Sequence, residues 1–110
     1  MTDNVLVLTT AGSEAEARNI ANQLVERRVA ACVNMIPRIQ SVYRWEGKVE
    51  TAEEFLLIIK TTKARSLDVQ ASIRELHSYD LPECVVISMA GGSAEYLKWI
   101  EESGRRSSYP

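Results

Sequence analysis

His77, Tyr79, Asp80 and Glu83 fall within seven residues of one another around Pro82, the densest group of chemically able side chains in the chain. A neutral imidazole and carboxylates are ligands for a divalent transition metal, and the loop between them leaves His77 and Glu83 free to converge. A lone histidine at a helix end also serves to cap carbonyls or to pack, so spacing alone leaves both roles open. Cys32 adds a soft ligand only if a second subunit carries it towards His77; otherwise it is a small buried hydrophobe, as Cys84 is expected to be. Neither belongs to a Cys-x-x-Cys pair, so the ligand count excludes a closed structural zinc site within one chain. Lys60-Thr61-Thr62-Lys63, at a strand-to-helix junction, offers Lys60 and free backbone N–H groups to an anion, although exposed lysines flanking a turn are commoner than anion sites. His77 is the only histidine, and no Ser-His-Asp, Cys-His or glycine-rich phosphate pattern accompanies it, so no enzyme is expected.

The elements that position these residues follow from periodicity. Val5 to Thr10 is a short β-branched apolar run, broken by Gly12-Ser13, and reads as the first strand. Ser13 and Glu16 form a capping box, after which Ala17, Ile20, Ala21, Leu24 and Val25 recur at helical spacing to about Arg28. Ala31 to Trp45 and Val49 to Thr62 make an unusually long hairpin about Glu46-Gly47-Lys48, with a bend or bulge at Pro37, which also places that strand at a sheet edge. Phe55 to Ile59 is apolar on both faces and predicts a central strand. Thr62 caps a second helix whose Leu67, Val69, Ile73 and Leu76 face the core, and Pro82 ends it. Cys84 to Met89 is a fourth strand, and Ser93 caps a third helix carrying Tyr96, Leu97 and Ile100.

This order, βαββαβ plus a C-terminal helix, predicts the α+β ferredoxin-like split βαβ sandwich, with sheet order four, one, three, two. Cys32 and Cys84 then sit on opposite edges, too far apart to bridge. The hairpin is too long for one small domain to cover. Its far end, expected to carry Tyr43, Trp45 and Phe55, together with Trp99, predicts an interface between subunits.

The 110 residues, 45% hydrophobic and 25% charged, fit a single domain spanning 1–110, with Gly104 to Pro110 as a frayed tail. Thirteen basic against fifteen acidic side chains leave a net charge of −2 without a clustered positive footprint, which argues against nucleic acid. No apolar stretch is long enough to span a membrane, and Met1-Thr2-Asp3-Asn4 lacks the positive start of a secretory signal. Two cysteines fit a reducing compartment, so a cytoplasmic location is expected.

Ala30-Ala31-Cys32-Val33-Asn34, Ile36-Pro37, Ser41-Val42-Tyr43-Arg44-Trp45-Glu46-Gly47-Lys48, Lys60-Thr61, His77-Ser78-Tyr79-Asp80-Leu81-Pro82-Glu83 and Tyr96-Leu97-Lys98-Trp99 are specific when taken together. Through them the chain resembles the CutA divalent-cation tolerance proteins over nearly its whole length. The resemblance implies a homotrimer, similar in architecture to the PII signalling proteins, in which the long hairpins pair between subunits. It implies binding of copper or another divalent metal ion and a response to metal, with His77 and Glu83 at the ligand positions and Tyr79 and Lys60 about the cleft. Thr9 stands where copper-binding members have a cysteine, and Ser78 where the family usually has proline. Loss of the thiolate weakens Cu(I) preference more than Cu(II) or Zn(II) binding. The alternative that the resemblance also allows is a PII-like signalling or scaffold trimer that takes a small ligand or a protein partner, metal binding being incidental.

Overall fold

The computed structural model describes residues 3–103, so the tail expected to fray lies outside the described residues. The elements are β1 (Asn4–Ala11), α1 (Glu14–Glu26), β2 (Cys32–Trp45), β3 (Lys48–Thr62), a 3₁₀ turn (Lys63–Arg65), α2 (Ser66–Leu76), β4 (Val85–Ser88) and α3 (Ala94–Ser103). One antiparallel sheet orders them β2-β3-β1-β4, as the split βαβ topology requires. β3 is central and β2, the strand with Pro37, is an edge. Cys32 opens that edge strand, Cys84 precedes the opposite one, and both thiols are free.

Local chemistry explains the boundaries. Ser13 caps α1 by accepting from the Glu16 N–H at 3.2 Å, which fixes where helix replaces strand. Arg27 ends the helix two residues before the expected reach, because Arg28 turns left-handed (φ 60°) and the Val29 and Ala30 N–H groups fold back onto the Leu24 carbonyl. Thr62 does cap, but it caps the 3₁₀ turn, accepting from the Arg65 N–H at 3.3 Å; α2 proper begins at Ser66. That offset rotates the helix, so Leu67 is exposed and Ser72 joins Val69 and Ile73 inside. β4 is shorter than the run Cys84 to Met89.

The core forms on one face of the sheet, where Val5, Val7, Leu57 and Ile59 pack with Ile20 and Leu24 of α1 and Val69 and Ile73 of α2. Alternation sends Leu6, Leu8, Leu56 and Ile58 to the other face, where β4 adds Val85 and Ile87 opposite Leu8 and Leu6. The first four stay half-buried and the last two are exposed.

The hairpin sets the shape of the molecule. Fourteen residues of β2 span roughly 46 Å at strand rise, close to the longest molecular extent of 48 Å. The radius of gyration, 14.7 Å, exceeds the roughly 13 Å of a compact domain of this length. The ladder shifts register between Ile36 and Ile39, where Arg38 takes φ 58°, then runs on to Trp45 opposite Lys48. Glu46 (φ 50°) and Gly47 (φ 80°) close it as a two-residue turn with both residues left-handed, the geometry that matches strand twist.

Candidate functional site

The loop after α2 is knotted onto the sheet by His77. This residue ends the helix in extended backbone, and its side chain is fully buried. The Thr10 carbonyl can only accept, so Nε2 carries the proton and donates to it at 2.5 Å, while Nδ1 accepts the Tyr79 N–H at 3.1 Å. Both ring nitrogens are therefore occupied within the chain. Glu16, besides closing the α1 cap through its backbone, accepts the Ser78 N–H at 3.0 Å through Oε2 and lies 3.7 Å from Nδ1 through Oε1. The loop is thus held at the end of β1 and the start of α1 together.

Tyr79 extends the knot. Its ring sits 4.5 Å from that of His77, and its hydroxyl donates to Glu54 Oε2 at 2.9 Å. Partial burial first, then the Glu54 hydrogen bond and the Glu54 and Glu16 charges, push the phenol up to about 12. Gly12 lies beneath it, and a Cβ there would lie 2.8 Å from the Tyr79 hydroxyl oxygen and displace it.

Between this loop and the inner side of the hairpin lies a cleft of about 680 Å³. Tyr43, Trp45, Glu54, Tyr79, Asp80 and Glu83 are among its walls, Thr10, with Ser41 and Val42 on the hairpin side and Ser78 and Leu81 on the loop side, completes the lining, and among the described residues no Lys, Arg or His takes part. Tyr79 and Glu83 are brought together here. His77 stands behind the wall instead of on it. Lys60 is elsewhere: opposite Cys32 in the β2–β3 ladder, it donates to the Tyr96 hydroxyl at 3.2 Å. That position also keeps Cys32 out of the same chain's cleft, because Glu54 and Lys60 are six residues apart along β3. Trp99 is half-exposed and stacks on Tyr96 at 5.4 Å. Phe55 does not project with the tip: it pairs with Ala11 at the hairpin base and packs on the core.

Glu54, Ser41 and Gly12 were not foreseen as site residues. Glu54 does leave a trace in sequence, an acid that shares the face of Leu56 and Ile58 just where β3 becomes apolar. Thr9, at the position of the family cysteine, is buried with no hydrogen-bond partner for its Oγ1 among the described residues. Burial raises the Cys84 thiol above its ordinary range, which suits an inert residue. Among the described residues no three His, Cys, Asp or Glu side chains are grouped to hold a metal. The donors of one chain therefore do not fit a resident copper ion.

The chain matches the model of the CutA1 divalent ion tolerance protein over residues 5–103. It belongs to the CutA family. The divalent-cation tolerance protein CutA of Thermus thermophilus is 45% identical over 98 residues, 89% of this chain and 95% of that protein. The crystal structure of CutA from Xylella fastidiosa superposes with a TM-score of 0.93 at 36% identity, covering 94% of this chain and 100% of the other. A CutA of Archaeoglobus fulgidus, described as periplasmic, gives 0.90 at 39% identity over 93% and 99% of the two chains. These members carry no enzymatic name.

Proposed function

We propose that this chain serves divalent-cation tolerance as a single-domain, non-enzymatic homotrimer, with the cleft beside its hairpin as a cation site. The observation that carries the reading is the make-up of that cleft: among the described residues its charged side chains, Glu54, Asp80 and Glu83, are all carboxylates. A partly enclosed negative site concentrates cations and repels anions. Assembly is supported by the sheet face of Leu6, Leu8, Leu56 and Ile58, flanked by exposed Val85 and Ile87, and by the exposed tip residues Tyr43 and Trp45. Apolar area of that extent gains about 25 cal/mol per Å² when a neighbour covers it. Two free thiols fit the cytoplasm; fractionation of cells expressing the protein tests the location.

In its finer form the proposal places copper at Glu83 and His77, with Cys32 supplied by a neighbouring subunit. His77 joins only by giving up its bond to Thr10 or to Tyr79. Titration calorimetry of the metal-free protein with Cu(II) tests both levels. Glu83→Gln is expected to weaken binding by about tenfold or more; a Cu(II) affinity unchanged in both Glu83→Gln and His77→Ala removes metal from this cleft.

The occupied ring of His77 favours a second reading, the PII-like signalling or scaffold trimer whose cleft meets a small ligand or a protein partner. Binding that persists under chelator, where Cu(II) is absent, distinguishes it.

A further inference from the structure

A bare divalent ion needs several donors converging at roughly 2.0–2.6 Å, and the described residues hold no such group. The cleft, at about 680 Å³, has instead the size of sites that enclose a whole small molecule. Its walls combine two means of holding a positive charge. Tyr43, Trp45 and Tyr79 supply aromatic surface, whose π-faces attract cations and whose area covers a carbon body. Glu54, Asp80 and Glu83 supply the formal charge.

Glu54 is the independent observation. It is 7% exposed, it lines the cleft, and its Oε2 is engaged by a neutral phenol at 2.9 Å. Among the described residues Oε1 has no hydrogen-bond partner and the carboxylate has no cationic one. A carboxylate that is mostly buried, with one phenol as its partner and Oε1 open to the cleft, gains from a cation that reaches it there. Among the described residues the Arg and Lys ion pairs, as between Arg27 and Glu75 at 2.8 Å, do not include Glu54.

We infer that the cleft binds a small organic cation, an alkylammonium whose head reaches Glu54 and whose carbon body lies against Tyr43, Trp45 and Tyr79, a choice of ligand that rests on the small-ligand reading of the same cleft. Anions and neutral molecules of equal size are rejected by the unbalanced negative wall. The size of the cleft, and not the charge alone, separates this ligand from a metal ion.

The test is titration of the assembled, metal-free protein with tetramethylammonium and with n-butylammonium under chelator, with butyrate as the anionic control and Cu(II) run separately without chelator. Both ammonium probes are expected to bind and butyrate to give no heat. Glu54→Gln keeps an acceptor for the Tyr79 hydroxyl and is expected to weaken the ammonium probes by about tenfold or more, with Asp80→Asn a smaller loss in the same direction; light scattering and circular dichroism establish that both variants stay assembled and folded. Absence of ammonium binding, or equal affinity in Glu54→Gln, overturns the inference. Cu(II) binding without ammonium binding leaves the metal proposal standing and removes this one, and the reverse result does the opposite.

Discussion

The base and the tip of the hairpin are made by the same two strands, yet only the base has a core of its own. At the base, Leu57 and Ile59 of β3 are fully buried against α1 and α2. Past the bulge at Pro37, Val42 is 68% exposed and Val49 65%. Both halves carry β-branched and aromatic residues, and both keep an unbroken ladder. The difference teaches that the ladder and the left-handed turn at Glu46-Gly47 settle where strand exists, whereas burial depends on what else lies within reach. Glu54 sits at the border of the two regimes, and the candidate cleft opens there.

The contrast can be broken most strongly at the base. Leu57→Ala removes a fully buried side chain from the centre of the core, and chemical denaturation is expected to show a loss of about 2–5 kcal/mol. Val42→Ala, on the tip of the same hairpin, is expected to change stability by less than about 0.5 kcal/mol. Equal losses at the two sites would mean that the tip is covered from within the chain.

Trp45→Asp addresses what covers the tip. It touches no core residue, so secondary structure is expected to persist while light scattering reports smaller species and the melting temperature falls with dilution, as linked folding and assembly require. An unchanged mass for this variant sets aside the hairpin as an interface.

A smaller and opposite effect is expected at Thr9, whose buried hydroxyl lacks a partner among the described residues. Thr9→Val keeps the shape and removes the unsatisfied group, so stability rises by about 1 kcal/mol. A loss on denaturation would show that the hydroxyl has a partner after all.

The smallest effect is confined to high pH. Tyr79 holds its proton to about 12 against an ordinary 10.0, so the folded state binds more protons than the unfolded one between those values. Its contribution is complete below pH 10 and declines as pH climbs towards 12. Ultraviolet titration of the four tyrosines is expected to show one delayed ionisation, absent in Tyr79→Phe. Four tyrosines ionising together would sever the Tyr79–Glu54 bond from the account.

Much of the fold was legible because it is written in local terms. The Ser13 cap, the bulge at Pro37, the edge position of β2 and the central apolar run of β3 each follow from a residue's own backbone preference or from alternation. Errors arose where a neighbour intervened. Thr62 caps a 3₁₀ turn three residues ahead of α2, and the resulting rotation exposed Leu67. Phe55, grouped with the projecting aromatics, pairs with Ala11 and packs half-buried against the core.

The candidate site was legible only in part. Spacing brought Tyr79, Asp80 and Glu83 to one loop, but it could not say that His77 would be tied behind the cleft wall, since that depends on the Thr10 carbonyl, 67 residues distant in sequence. Lys60 looked available beside a helix start and is committed to Tyr96 on another element.

The amino-acid order by itself determined the strand and helix succession, the topology of the sheet and an apolar excess that one domain cannot hide, because periodicity and residue type act over a few neighbours at a time. Tertiary structure alone decided that the one imidazole is a buried tie, and that Glu54 faces an aromatic-walled cleft with no counter-charge among the described residues. Those outcomes depend on which distant groups meet when the layers close, and hydrogen bonding and charge compensation are properties of the meeting, not of the residue.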